Sequence, residues 1–97
     1  MIYLKINRTG QNEIIALCDK NLIGKSFCEK DLTLNITERF YKGKLTDEKE
    51  ILRILKDAKN INIVGKDAIK LALKSEIIDK SNIIKIKNIP HAIVFEI

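Results

Sequence analysis

The chain opens on an alternation. Ile2, Leu4 and Ile6 fall to one side and Tyr3, Lys5 and Asn7 to the other, the period of a half-buried strand. Thr9-Gly10-Gln11-Asn12 is turn chemistry, and Glu13 to Cys18 reads as a second strand, apolar on both faces and therefore central. The short loop makes the pair a hairpin. Asn21 to Lys25 is a loop closed by Gly24, and Asp31 to Thr37 alternates again, Leu32, Leu34 and Ile36 against Thr33, Asn35 and Thr37.

The period then changes. Ile51, Leu52, Ile54, Leu55 and Ala58 form one stripe at helical spacing, behind a capping Asp47 with Glu50 three residues on. Ile61 to Val64 is a short strand ended by Gly65, and Lys66 to Ser75 a second helix with Ala68, Ile69, Ala72 and Leu73 inward. Ile83 to Lys87 is a strand with Ile84 and Ile86 in and Lys85 and Lys87 out. Asn88-Ile89-Pro90-His91 turns the chain, and Ala92 to Ile97 ends it as a strand.

Strand, helix and strand over residues 61 to 87 make a βαβ unit, right-handed if its strands are parallel. The expected fold is therefore α+β: a two-layer mixed β-sheet with two helices on one face, in one domain over residues 1–97. The uncovered face should carry Tyr3, Lys5, Asn7, Thr33, Asn35, Lys85 and Lys87, joined by Asn62.

Composition narrows the function classes. There is no apolar run of membrane-spanning length and no charged-then-apolar leader, so a cytoplasmic protein with no membrane partner is expected. Eighteen basic residues against thirteen acidic leave a net charge of +5, which favours anionic partners. The excess is spread out, with no basic tail; fifteen lysines against three arginines are also the bias of a heat-adapted or AT-rich genome. Cys18 and Cys28, with one distant histidine, make no metal site; both are expected as free thiols, Cys18 in the core. No cofactor is implied.

Four features carry candidate chemistry. Gly24-Lys25-Ser26 copies the tail of a phosphate-binding loop, but Asp19 stands where the first glycine belongs and a strand-like stretch follows, so the match is coincidence. Gly65 at a strand-to-helix junction leaves free amides that can hold a phosphate or carboxylate, but one glycine is weak evidence and a tight turn with Lys66 in solvent is the stronger reading. Lys66, Lys70 and Lys74 recur every fourth residue, about 6 Å apart along one helical ridge, close to the spacing of phosphates on a strand. With Lys85, Lys87, Lys5 and Tyr3 they form an electrostatic footprint for RNA; the plain alternative is a solvated lysine face, and one open tyrosine is fewer than a sheet-based RNA module uses. His91 is the sole histidine, with no serine, cysteine or carboxylate tied to it by spacing. Phe40 and Tyr41 before Gly43 read as core and turn anchors. No catalytic constellation is composed, and the balance leans away from an enzyme.

Taken in order, Cys18-Asp19, Gly24-Lys25-Ser26-Phe27, Phe40-Tyr41-Lys42-Gly43, Asn62-Ile63-Val64-Gly65 and Ile89-Pro90-His91-Ala92 make a set that resembles the small archaeal family known as domain of unknown function 424. The resemblance covers essentially the whole chain. It departs at Asn88, where the family usually has glycine. It implies a stand-alone cytoplasmic protein without an established activity, in a family sometimes grouped with presumed RNA-binding proteins linked to translation.

Two functions follow as expectations. One is a basic module that contacts structured RNA or ribosome-associated proteins without DNA sequence specificity. The other is a small-anion or phosphorylated-metabolite site in which Asn62, Gly65, Pro90 and His91 converge, Gly65 lying at the carboxyl end of its strand.

Overall fold

Strand β1 (Ile2–Thr9) turns through Gly10 and Gln11 into β2 (Asn12–Asp19), pairing antiparallel from Ile2↔Asp19 to Thr9↔Asn12 in the computed structural model, which describes residues 1–95. A single 3-10 turn at Lys20–Leu22 leads to a separate hairpin, β3 (Ser26–Glu29) and β4 (Leu32–Asn35). The short helix α1 (Glu38–Tyr41) and the edge strand β5 (Lys44–Thr46) return the chain to β1. Gly43 sits between them because a Cβ there would strike the backbone carbonyl of Leu4.

Helix α2 (Glu48–Leu55) begins as its sequence signals ask: Asp47 accepts the Glu50 amide at 2.9 Å. The Glu50 carboxylate does not close the capping box. It binds Arg53 Nε at 2.9 Å instead. Strand β6 (Asn60–Val64) then pairs parallel to β2, helix α3 (Lys66–Lys74) follows Gly65, and β7 (Ile83–Ile86) and β8 (Ile89–Phe95) close the chain.

The sheet order is β5-β1-β2-β6-β8-β7. The fold is α+β, with a mixed sheet and α2 and α3 on one face, as the periodicities imply. The βαβ unit is split: β8 lies between β6 and β7, antiparallel to both, so the two flanking strands run parallel without touching. Beneath the helices, Leu4, Ile15, Leu17, Ile61, Ile63 and Ala92 of the sheet meet Ile51, Leu55, Ala68, Ile69 and Ala72 in one core.

Three expectations are corrected. The second face of the sheet is not bare. Ala16, Cys18, Val64 and Ile86 on it form a second core with Leu22, Leu34, Ile36 and Tyr41, so the segment from Leu22 to Tyr41 covers part of that face. Thr33 and Asn35 belong to this covering hairpin, not to the main sheet. Beyond this cover, Ile84, Ile93 and Phe95 on the same face are exposed.

Second, the last turn is shorter than expected. Lys87 (φ 51°) and Asn88 (φ 66°) alone make it, and β8 begins at Ile89 instead of Ala92. Two central residues with positive φ are the signature of the tight hairpin turn whose twist matches its strands. Third, the faces of β7 are reversed. Ile84 pairs with His91 and Ile86 with Ile89, on the second face, while Lys85 pairs with Pro90 on the side of α3. Apolar residues at 83, 84 and 86 fit either phase, so alternation alone selected the wrong one. The expected strand residues Glu96 and Ile97 lie outside the described residues.

Candidate functional site

The carboxyl ends of β2 and β6 lie side by side, and Asp19 ends the first. Its side chain is buried, which for a carboxylate requires dedicated partners. Those partners are the first turn of α3: Oδ2 accepts the Asp67 amide at 3.0 Å and Oδ1 the Ala68 amide at 2.8 Å. The residue at the helix start is Gly65, which has no side chain to do this work; the cap comes from a strand some fifty residues earlier in the chain. Burial pushes the Asp19 carboxyl above its usual range, against the pull of the two amides. Gly65 adopts φ 109°, and a Cβ there would collide with the Asp19 carboxyl, so glycine is required twice over.

This arrangement decides what the Gly65 turn can hold. The amides of Asp67 and Ala68 are taken by Asp19, and the Gly65 amide donates to the Pro90 carbonyl at 3.0 Å. An internal carboxylate fills the place where an external phosphate would sit at the helix terminus.

The residues named for an anion pocket meet in pairs, Gly65 with Pro90 and Asn62 with His91. Val64 pairs with His91, and Asn62 Oδ1 lies 2.9 Å from His91 Nε2. The same oxygen accepts the Tyr41 hydroxyl at 2.8 Å. A carbonyl oxygen only accepts, so His91 carries its proton on Nε2 and presents an unprotonated Nδ1. Burial holds the His91 imidazole below its ordinary pKa, which keeps it neutral at pH 7. Tyr41 is buried, and loss of solvent, with the nearby Cys18, pushes its phenol up to about 12. Cys18 is fully buried, gives its thiol proton to the Asp19 carbonyl at 3.2 Å, and is likewise pushed up to about 12 by burial and the charge of Asp19. A thiol so far from ionisation is no nucleophile. Together Tyr41, Asn62 and His91 join α1, β6 and β8: the cluster fastens the covering segment to the sheet. Among the described residues no group of three or more His, Cys, Asp or Glu is placed to hold a metal.

The lysines are divided. Tyr3 pairs with Cys18 and Lys5 with Ala16, so both lie on the second face, half-buried. Lys66, Lys70 and Lys74 are exposed along α3 on the opposite side of the sheet. Lys74 Nζ meets Glu48 Oε1 at 3.5 Å, which removes it from the free set. Lys87 sits at the tip of the last turn, its backbone amide held by Glu29 Oε1 at 2.9 Å. The reversed phase of β7 brings Lys85 toward α3, where it lines one groove with Lys66 and Lys70. Among the described residues, none of these three makes an ion pair.

Two fastening contacts carry little or no signal in the sequence. Tyr41 reads as an anchor, but its hydroxyl partner is 21 residues away and carries no local signal. Asp19 had one: a helix that starts on glycine, with no Ser, Thr, Asp or Asn to cap it, requires an acceptor from elsewhere.

What these residues define is a small α+β protein whose buried polar groups tie its layers together and in which three lysines, Lys66, Lys70 and Lys85, line one groove beside α3. The chain belongs to the family described as "Protein of unknown function (DUF424)", which matches residues 6–97. It is also similar to a solved structure, the crystal structure of an uncharacterized conserved protein from Methanopyrus kandleri. The two are 27% identical with a TM-score of 0.74, over 99% of this chain and 93% of the other. No curated protein matches the chain. No helix among the described residues is long and apolar enough to cross a membrane.

Proposed function

We propose that this protein is an RNA-binding accessory factor that holds the phosphate backbone through Lys66, Lys70 and Lys85. One observation supports this above the rest: the register of β7 brings Lys85 to α3, so three unpaired ammonium groups border one groove with no carboxylate among its lining residues. Phosphate contacts dominate nucleic-acid affinity, and each releases counterions. The chain's net charge of +5 assists encounter. The link to translation comes from the family resemblance and makes ribosomal RNA the first ligand to test. The competing small-anion reading is weaker at Gly65, because Asp19 already occupies the amides it would need.

The test is a salt series. Affinity for a structured RNA falls with salt on a log–log slope of about 0.7–0.9 per phosphate contacted, so the Lys66→Glu, Lys70→Glu double variant loses about two contacts' worth of slope. Absence of binding at about 50 mM salt, where such contacts are strongest, would sink the proposal.

A further inference from the structure

The groove between α3 and the β7–β8 corner is not uniformly charged. Lys66, Lys70 and Lys85 stand around it, but its floor is Ile69, Leu73 and Pro90, all apolar, and it encloses about 300 Å³. Asn88 stands at its end on the tight turn, with a backbone in the left-handed region. Resting on the RNA-binding reading, we infer that this groove takes a single-stranded segment of RNA, with phosphates against the three ammonium groups and one unstacked base laid on the apolar floor.

The groove complements a single strand better than a duplex. A duplex turns phosphates and ribose hydroxyls outward and keeps its base faces stacked inside. Against this groove it matches the ammonium groups and leaves the apolar floor facing polar backbone. A single strand can splay out a base, and every base has an apolar face. The volume of the groove is that of about one nucleotide, not of a helical rod, whose contacts run over many base pairs. Lys66 and Lys70, one helical turn apart, rise about 6 Å along α3, which suits successive phosphates on either side of such a base. No aromatic ring lines the floor, so the base is held by aliphatic contact and not by ring stacking, and discrimination between bases is weak. The amide of Asn88 offers both a donor and an acceptor to the edge of the base.

The experiment measures binding of the full chain to a short single-stranded RNA and to the same strand in a duplex, at low salt, by fluorescence anisotropy. The wild-type protein is expected to favour the single strand by several-fold, the size of one aliphatic contact with the face of a base. Leu73→Lys separates the two views of the floor. It adds a charge, so a purely electrostatic surface binds both RNAs more tightly; a floor that seats a base loses the single strand while the duplex gains or is unchanged. Melting of the variant checks its fold, and the wild-type comparison of the two RNAs stands without it. Equal affinity for single strand and duplex overturns the inference while leaving RNA binding in place. Equal affinity for the single strand and a polyglutamate of matching charge overturns it as a nucleic-acid site. No binding to either RNA fails the proposed function itself.

Discussion

Gly65 and Asp19 show how closely one residue can depend on another far away in the chain. The backbone at Gly65 lies in the left-handed region, and the space where a side chain would go holds the carboxyl that caps α3. Gly65→Ala therefore costs about 2–4 kcal/mol, from backbone strain together with displacement of the cap. Chemical denaturation measures it. The background Asp19→Ala, which opens the space and removes the cap, should reduce that cost, because the two residues are coupled. His91 sets a pH dependence of definite sign. Its folded pKa lies below that of the unfolded chain, about 6.5, so on acidification the unfolded state takes up the proton first. Stability is full above that value and is lost as pH falls through it, until the folded imidazole also titrates. Melting temperatures between about pH 7.5 and 5.5 should fall for the wild type and more gently for His91→Gln, which keeps a side-chain donor toward Asn62.

Among the elements, those with strong periods were legible. The α2 stripe, the Asp47 cap and the alternation of β1 each fix a segment from local chemistry alone, and α3 follows from its apolar spacing. What was not legible depended on partners. The run 83–86 is apolar at three of four positions, so only its pairing with β8 decides which face each residue takes. Residues 26–29 and 44–46 are too short and mixed in pattern to announce strands; they form because β4 and β1 lie beside them. Pro90 suggested a wider turn, yet it lies in β8 just before the ladder to β6 begins at His91, where its missing N–H breaks no bond of that ladder. The turn itself carries a prediction. Lys87 and Asn88 both hold positive φ, and a glycine at the second position would relieve the strain. Asn88→Gly is expected to stabilise the protein by about 0.5–1 kcal/mol, read as a rise in melting temperature.

At the scale of the whole molecule, the covering hairpin changes the functional picture. A sheet open on one side would spread Tyr3, Lys5, Lys85 and Lys87 over a single cationic face. Instead Leu34, Ile36 and Tyr41 pack onto that side, and Tyr41 is locked there through Asn62 and His91. The motifs that carry the family resemblance come together at this seam: Cys18, Asp19, Tyr41, Asn62, Gly65 and His91 lie in or beside it, and each has an identifiable structural partner. The candidate residues legible in the sequence thus divide into a fastening and the proposed surface, which lies in the groove between α3 and the β7–β8 edge of the sheet.

That division is tested most directly by reversing one charge on each side of the sheet. RNA affinity at low salt is measured for Lys85→Glu and for Lys5→Glu, with melting to confirm that both variants fold. The groove beside α3 predicts about a tenfold loss for Lys85→Glu and little change for Lys5→Glu. A loss confined to Lys5→Glu would place the footprint on the opposite side of the sheet and contradict the account.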